Sequence, residues 1–346
     1  DWELIHKYIK EGKANDLSGS LTNILEACTK AKKATDITPQ HPSLNVGGAK
    51  PRAFALKNSY MQTLVRDYIY GDKVDPNIQV DYFNNSLEVK NNRESIVTDY
   101  RNLENQSLEE IILSKIDKYK GKSTTELANL FSINTNSNPK HLQSMIIKSL
   151  LGIRNNPEET EEFSKAGIQV KTIRLEEENI PEQHMSFPSF EFEELVSKSW
   201  HESDLFNQLE QTKFLFVVFK NIKGQYILKG AKFWAMPVDV IESQAKSVWS
   251  STKKIIKDGV KLERVPWGNN WRIENNLPKV SDKGSIMHVR PHTSQSSYVE
   301  SPYSSRLPVK ARWKNKPEDF SDNYMTKQCF WLNRDFISKQ VEEFWD

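Results

Sequence analysis

Cysteine is scarce in this chain. Only Cys28 and Cys329 occur among 346 residues, which excludes a disulfide framework and suits a reducing, cytoplasmic setting. There is no run of about 18 apolar residues, so no membrane span is expected and no membrane partner. The first ten residues, DWELIHKYIK, lack the basic start and apolar core of a signal peptide. They also lack a starting Met and read as the middle of a helix, so a portion of a longer protein is expected. Net charge is only +2, which argues against an indiscriminate polyanion binder. That sum hides segregation: EACTKAKKAT (26–35) is basic, whereas NNPEETEEFS (155–164) and LEEEN (175–179) are acidic. Such segregation permits a local basic cleft. The glycines of NVGGAKP (45–51) lack the Lys-Ser/Thr continuation that a phosphate-cradling loop requires. His288 and His292 have zinc-like spacing for a helix, but they fall in a strand and loop with no evident third ligand.

What is present is a polar, globular composition, with 37% apolar and 27% charged residues. The length suffices for two or three domains. Leu4, Ile5, Tyr8 and Ile9 share a helical face that Gly12 stops. LTNILEA and AFALK suit strands, and NSYMQTLVRDYIY suits a helix. Residues 71–106 are rich in Asn and Asp and read as a linker. Helical patterning resumes over 107–153, where Ser123 and Glu126 form a capping box. From residue 166 strands dominate, in GIQVKTIRL, KFLFVVFKN, YILKGAKFWAM, SIMHVRP and QCFWLN, with helices near 238–258 and 334–345. The fold class is α/β with a mixed sheet.

An internal repeat runs through this pattern. Trp2, Ile5, Ile9, Lys10, Glu11 and Gly12 match Trp249, Thr252, Ile256, Lys257, Asp258 and Gly259 at equal offsets. Further on, AFALKNSYMQTLV (53–65) matches CFWLNRDFISKQV (329–341), with Phe54 on Phe330 and Leu56 on Leu332. Residues 1–70 thus read as the back half of one copy whose front half is absent, and 107–346 as a second copy.

The segments DWELIHKYIKEGK, GKSTTELANLF, AGIQVKTI, HVRPHT and FWLNRDF together resemble the MutH family of mismatch-repair nickases. The resemblance is strongest to its two-domain relatives, type II restriction endonucleases that cut GATC. It spans nearly the whole chain and implies a restriction-endonuclease-like (PD-(D/E)xK, MutH-like) mixed sheet flanked by helices. In the family, an Asp, a Glu-x-Lys and an earlier helical Glu form the active site. Carboxylates hold Mg²⁺ through oxygen, and the metal polarises the phosphate and activates water. Carried over, the Asp position is Glu162, the Glu is Gln169, the Lys is Lys171, and the helical Glu falls near Lys148. A neutral amide and a cation replace two acids, so the second copy is expected to be catalytically degenerate. Mg²⁺ belongs to the parent enzyme, with no cofactor in this portion.

The DNA-reading elements are better kept. The family's Arg-Pro-Lys loop, which reads guanine in the major groove, corresponds to Arg290-Pro291-His292-Thr293, and its aromatic near the adenine corresponds to Trp331. An Arg fork on guanine O6 and N7 discriminates by about 1–3 kcal/mol. On the residues alone, Arg290 could be a surface arginine beside a turn and Trp331 a core residue. In the first copy the loop reads Cys28-Thr29-Lys30, without the Arg; Lys30, Lys32, Lys33 and Lys57 would hold phosphates. The resemblance implies a bacterial, cytoplasmic, regulatory DNA-binding portion, with double-stranded DNA as partner and a homodimer on DNA as one route of coupling. A divergent Mg²⁺-dependent nuclease and a protein-interaction scaffold are the competing readings.

Overall fold

The apolar run KFLFVVF is central to the first part of the fold. With strands numbered along the whole chain, it lies in β5 (Lys213–Ile222), and its seven side chains are all buried. β3 (Ile168–Leu175) pairs with β5 in parallel and β6 (Gln225–Trp234) pairs with it antiparallel, giving a mixed sheet. Lys223 and Gly224, both at positive φ, make the two-residue β5–β6 turn that a right-twisted hairpin favours. Alternation divides the sheet. Ile168, Val170, Leu215, Val217 and Phe219 face a helical layer built by Leu108–Asp117, Thr124–Leu130, Leu142–Leu151 and Glu161–Ala166. Gln169 and Lys171 share the opposite face with Phe214 and Phe216, which stack against Trp234. Capping boxes at Ser107/Glu110 and Ser123/Glu126 start two of those helices. Each fully buried Phe, Leu or Ile contributes about 1.5–3 kcal/mol.

The structure, a computed structural model, describes residues 1–29, 35–40, 46–70, 93–134 and 141–346. It divides into two compact units. One comprises Asp1–Asn179, Glu210–Val238 and Glu343–Asp346; the other comprises Ile180–Leu209 and Asp239–Glu342. These units cut the chain differently from the repeat, because packing groups segments by contact and a repeat groups them by matching sequence. Residues 1–70 lie in the first unit, as do Ile96 and Val97, which are buried within the stretch 71–106.

The second unit holds a sheet ordered β4 (Met185–Phe190), β13 (Gln328–Leu332), β9 (Met287–Pro291). A second sheet is ordered β11 (Arg312–Lys314), β7 (Lys261–Trp267), β8 (Asn270–Asn275). β10 (Ser304–Arg306) and β12 (Tyr324–Thr326) pair separately. Helical residues run from Val238 to Asp258, with a π-helical stretch at Ile241–Ala245.

The two matched antiparallel strand pairs share one register. β1 (Leu25–Thr29) meets β2 (Arg52–Leu56) from Leu25↔Leu56 to Thr29↔Arg52, and β9 meets β13 from Met287↔Leu332 to Pro291↔Gln328. After each pair the chain ties back identically: Lys57 N donates to Ile24 O at 2.8 Å, and Asn333 N to Ile286 O at 2.7 Å. A helix follows in both, Asn58–Leu64 and Arg334–Gln340.

Lys57 departs from its expected place at a phosphate. It is fully buried, and its ammonium donates to the carbonyl oxygens of Thr22, Ala166 and Gln211 at 3.1, 2.8 and 3.3 Å. Burial pushes its pKa down to about 8. Beside it Lys213 donates to Asn23 and Glu109 at 2.8 and 2.6 Å. These contacts pin residues 1–70 to the rest of the first unit. Lys57→Met would strip a donor from three carbonyls and should cost about 3 kcal/mol. An earlier urea transition with unaltered DNA affinity is the expected result; lost DNA affinity at unchanged stability would restore the phosphate role.

Candidate nucleic-acid interface

β9 ends at Pro291, which has no N–H and closes the ladder against Gln328. Because strand neighbours alternate, Met287 and Val289 share a face with Phe330 and Leu332, while His288 and Arg290 share the other with Trp331. The first face is the interior: Phe330 meets Phe190, which in turn meets Phe192. The second is the candidate site.

There the Arg290 guanidinium carbon lies 3.9 Å from the centroid of the Trp331 ring. Trp331 Nε1 donates to Arg290 O at 3.2 Å, so ring and strand fix each other. Trp331 is itself buried and Arg290 exposed. The tryptophan is therefore the platform, and the arginine the exposed group it carries. His292 lies against the same ring at 4.9 Å, and the Thr293 hydroxyl donates to Gln295 O at 2.8 Å, tightening the turn. Among the described residues Arg290 has no acidic partner. A cation–π contact restrains the guanidinium without neutralising it.

Behind the platform, His288 stacks on Trp331 and its Nδ1 meets Asn333 Oδ1 at 2.6 Å. Asn333 Nδ2 is already donating to Ser285 O at 2.7 Å, so its oxygen faces the ring and His288 carries its proton on Nδ1. His184 Nδ1 accepts from the Arg334 N–H at 3.1 Å and its ring meets His288 edge-on. Burial, then His288 and Arg290, push His184 down to about 4; burial also lowers His288. Both rings are neutral near pH 7, so neither adds charge beside Arg290. Sequence reasoning missed His184, which stands just before β4 and more than a hundred residues upstream of His288 and Arg334.

The first pair has the same frame with different contents. Register places Glu26, Cys28, Ala55 and Lys57 where the second carries His288, Arg290, Trp331 and Asn333. Glu26 accepts from Cys28 Sγ at 3.0 Å and from Gln211 at 3.1 Å, and no guanidinium or ring is offered at the matching positions. Lys30, Lys32 and Lys33 lie outside the described residues.

The positions carried over from a nuclease site do not fit a divalent cation. Glu162 is buried, and its carboxylate accepts from Ser95 Oγ, Val97 N and Ile96 N at 2.5, 2.8 and 3.0 Å. It anchors residues 95–97 and has little left for a metal. Gln169 supplies only a neutral amide. Lys171 is half-buried and its pKa is lowered by burial, with Glu158 opposing that shift. Glu158 in turn accepts from Val170 N at 2.9 Å. Lys148 lies near Glu94, which already accepts from Arg154 N and Asn155 N.

A mixed α/β sheet and a preset arginine are compatible with a restriction-endonuclease-like protein. No family model matches the chain. It is 39% identical over 362 residues to the type II restriction enzyme Sau3AI of Staphylococcus aureus, a match covering 99% of this chain and 69% of that enzyme. The chain belongs to this family of type II restriction enzymes. Among the described residues no helix is long and apolar enough to cross a membrane.

His184 sets a pH dependence. Its folded pKa of about 4 lies below the ordinary 6.5, so between these values the unfolded chain binds more protons. Stability is full above the upper value and is lost as pH falls through the window. The thermal midpoint should drop between pH 6.5 and 4, and His184→Leu should flatten that slope; an equal slope in both proteins would exclude this group.

Proposed function

We propose that this chain is a regulatory portion of a type II restriction endonuclease that binds double-stranded DNA at GATC and does not cut alone. The observation that carries the reading is Arg290, exposed, acid-free among the described residues and seated over the Trp331 ring. Its five in-plane donors suit the O6/N7 edge of guanine in the major groove. Trp331 supports that fork rather than meeting adenine itself, and His292 and Thr293 line the approach.

We assign the non-cutting role to the contents of the nuclease-like positions. Glu162 is committed to residues 95–97, Gln169 is neutral, and Lys148 and Lys171 are cations. Mg²⁺ belongs to the parent enzyme. The divergent-nuclease reading would need Glu162 as a metal ligand and so loses its main support.

Residues 1–70 fit the C-terminal lobe of a first MutH-like copy, with 107–346 as the second. Trp2, Phe54 and Leu56 are 55%, 55% and 47% exposed, whereas their matches Trp249, Phe330 and Leu332 are buried. In the second unit those matches lie against β4 and the segment after it. The same face in the first copy suits the corresponding part of its own domain. A second GATC bound at Arg290 would favour the cutting state of the parent, by dimerisation or looping, to the extent that it binds better in that state.

Fluorescence anisotropy at stated, near-physiological salt tests the binding claim. A one-GATC duplex should bind at least about tenfold tighter than a scrambled one, ~1.4 kcal/mol. Arg290→Ala should erase that preference, and Trp331→Leu should reduce it. Equal affinity for both duplexes would leave only a backbone clamp, and no binding would favour a protein-interaction role. Gln169→Glu should yield no Mg²⁺-dependent cleavage, because Glu162 and Lys148 are unchanged; a large gain would sink the non-cutting assignment.

A further inference from the structure

The β7–β8 hairpin is not used by the site above. It turns through Gly268 and Asn269, with Gly268 at φ 55° and open space where a Cβ would stand. Two tryptophans flank the turn and stay exposed, Trp267 at 59% and Trp271 at 43%. Each is covered on one side by a cross-strand arginine. Arg264 lies 4.4 Å from the Trp271 centroid and Arg272 lies 3.8 Å from that of Trp267. The pairing register puts these two couples on opposite faces of the ribbon. Residues 264–273, RVPWGNNWRI, contain two arginines and no acid. Arg272 is held by Glu274, whereas Arg264 has no acidic partner among the described residues.

The root of the hairpin adjoins the Arg290 strand. Pro278, just after β8, accepts from Val289 N of β9 at 2.9 Å. Trp271 meets Phe320 at 6.0 Å, and Phe320 stacks at 5.0 Å on Tyr298, in the loop that follows Pro291. From Leu262 to Trp267 the strand extends about 17 Å, at about 3.3 Å per residue, or roughly five base-pair steps of 3.4 Å.

We infer that this hairpin is a second DNA-contacting element, a ribbon that lies along the duplex flanking the step read by Arg290. A two-stranded ribbon is a shape the major groove admits. An arginine without an acidic partner among the described residues, on a ribbon carrying rings on both faces, matches the phosphate–sugar rails of a groove. Arg264 takes a phosphate of one rail, and Trp267, on the opposite face of the ribbon, packs on the backbone of the other; these contacts position the protein without reading sequence. The inference rests on the proposed DNA reading at Arg290 and enlarges its footprint.

The full chain would be titrated by anisotropy against GATC duplexes with flanks of about three and about eight base pairs, with scrambled controls. The wild type should gain about tenfold on the long flank. Arg264→Gln and Trp267→Ala should each lose most of that gain, keep the GATC-to-scrambled ratio, and retain the wild-type thermal midpoint. Arg264→Gln should also reduce the salt slope by about one. Wild-type dependence on flank length in both variants would overturn the inference while leaving the GATC preference standing. Loss of a dimer in Trp267→Ala with DNA affinity intact would overturn it too, by assigning the ring to a second copy. A wild type with no GATC preference defeats the Arg290 reading instead.

Discussion

Trp331 lies in the middle strand of its sheet, with β4 on one side and β9 on the other, and its ring must face the side opposite Phe330. The β4 side carries a register shift between Cys329 and Trp331, while pairing to β9 stays regular, so alternation against β9 sets the facing of Trp331. Everything notable about the second unit's candidate site follows. The ring takes Arg290 on its surface, hands its N–H to the Arg290 carbonyl, and rests on His288. His288 is held by Asn333, which also ties the strand end to Ser285. One exposed cation thus rests on a buried column of neutral groups. A slip of one residue in the β9–β13 register would send Arg290 to the interior face.

The matched strand pair in the first unit shows what the frame does with other residues. At the Asn333 position it carries Lys57, and the positive group turns inward onto three carbonyls. At the His288 position it carries Glu26, which receives Gln211. The backbone is the same and the electrostatics are reversed: charge is buried and holds segments together, where the second pair buries neutral rings and displays charge. The frame is shared, and its use is set by four side chains.

Much of this frame was legible before any coordinates. Alternation located β3, a continuous apolar run located β5, strand-like stretches located β6, β9 and β13, and the offsets of Trp, Phe and Leu located the repeat, because all of these signals are local. Lys57 was misplaced because a lysine after a strand ordinarily reaches water; its burial depends on carbonyls of Ala166 and Gln211, more than a hundred residues away. Glu162 carried a similar difficulty, since its partners at Ser95–Val97 lie in a stretch with no periodicity. For Trp331 the structure shows the burial that the core reading expects, with Arg290 seated over the ring; the DNA contact stays a proposal. The hairpin of Trp267 and Trp271 escaped notice although its Gly-Asn turn stands in plain view. A ribbon with large residues on both faces lacks the apolar–polar alternation that marks a half-buried strand.

The choice of a ring rather than a carboxylate under Arg290 has a physical consequence. A carboxylate would hold the guanidinium by its in-plane N–H groups, the same groups that the proposed contact with a base edge or phosphate would use. Binding would then require breaking a charge-assisted pair, commonly stronger than a neutral hydrogen bond. A ring holds the arginine through its π face and uses none of the in-plane N–H groups as hydrogen-bond donors to an acid. Arg272 illustrates the alternative, since Glu274 occupies part of its fork while Trp267 covers its face. Arg264 and Arg290 have the ring without the acid. In a chain whose charges nearly cancel, attraction to a polyanion depends on which cations remain unpaired, and in the second unit aromatic stacking keeps these two arginines ordered without pairing them.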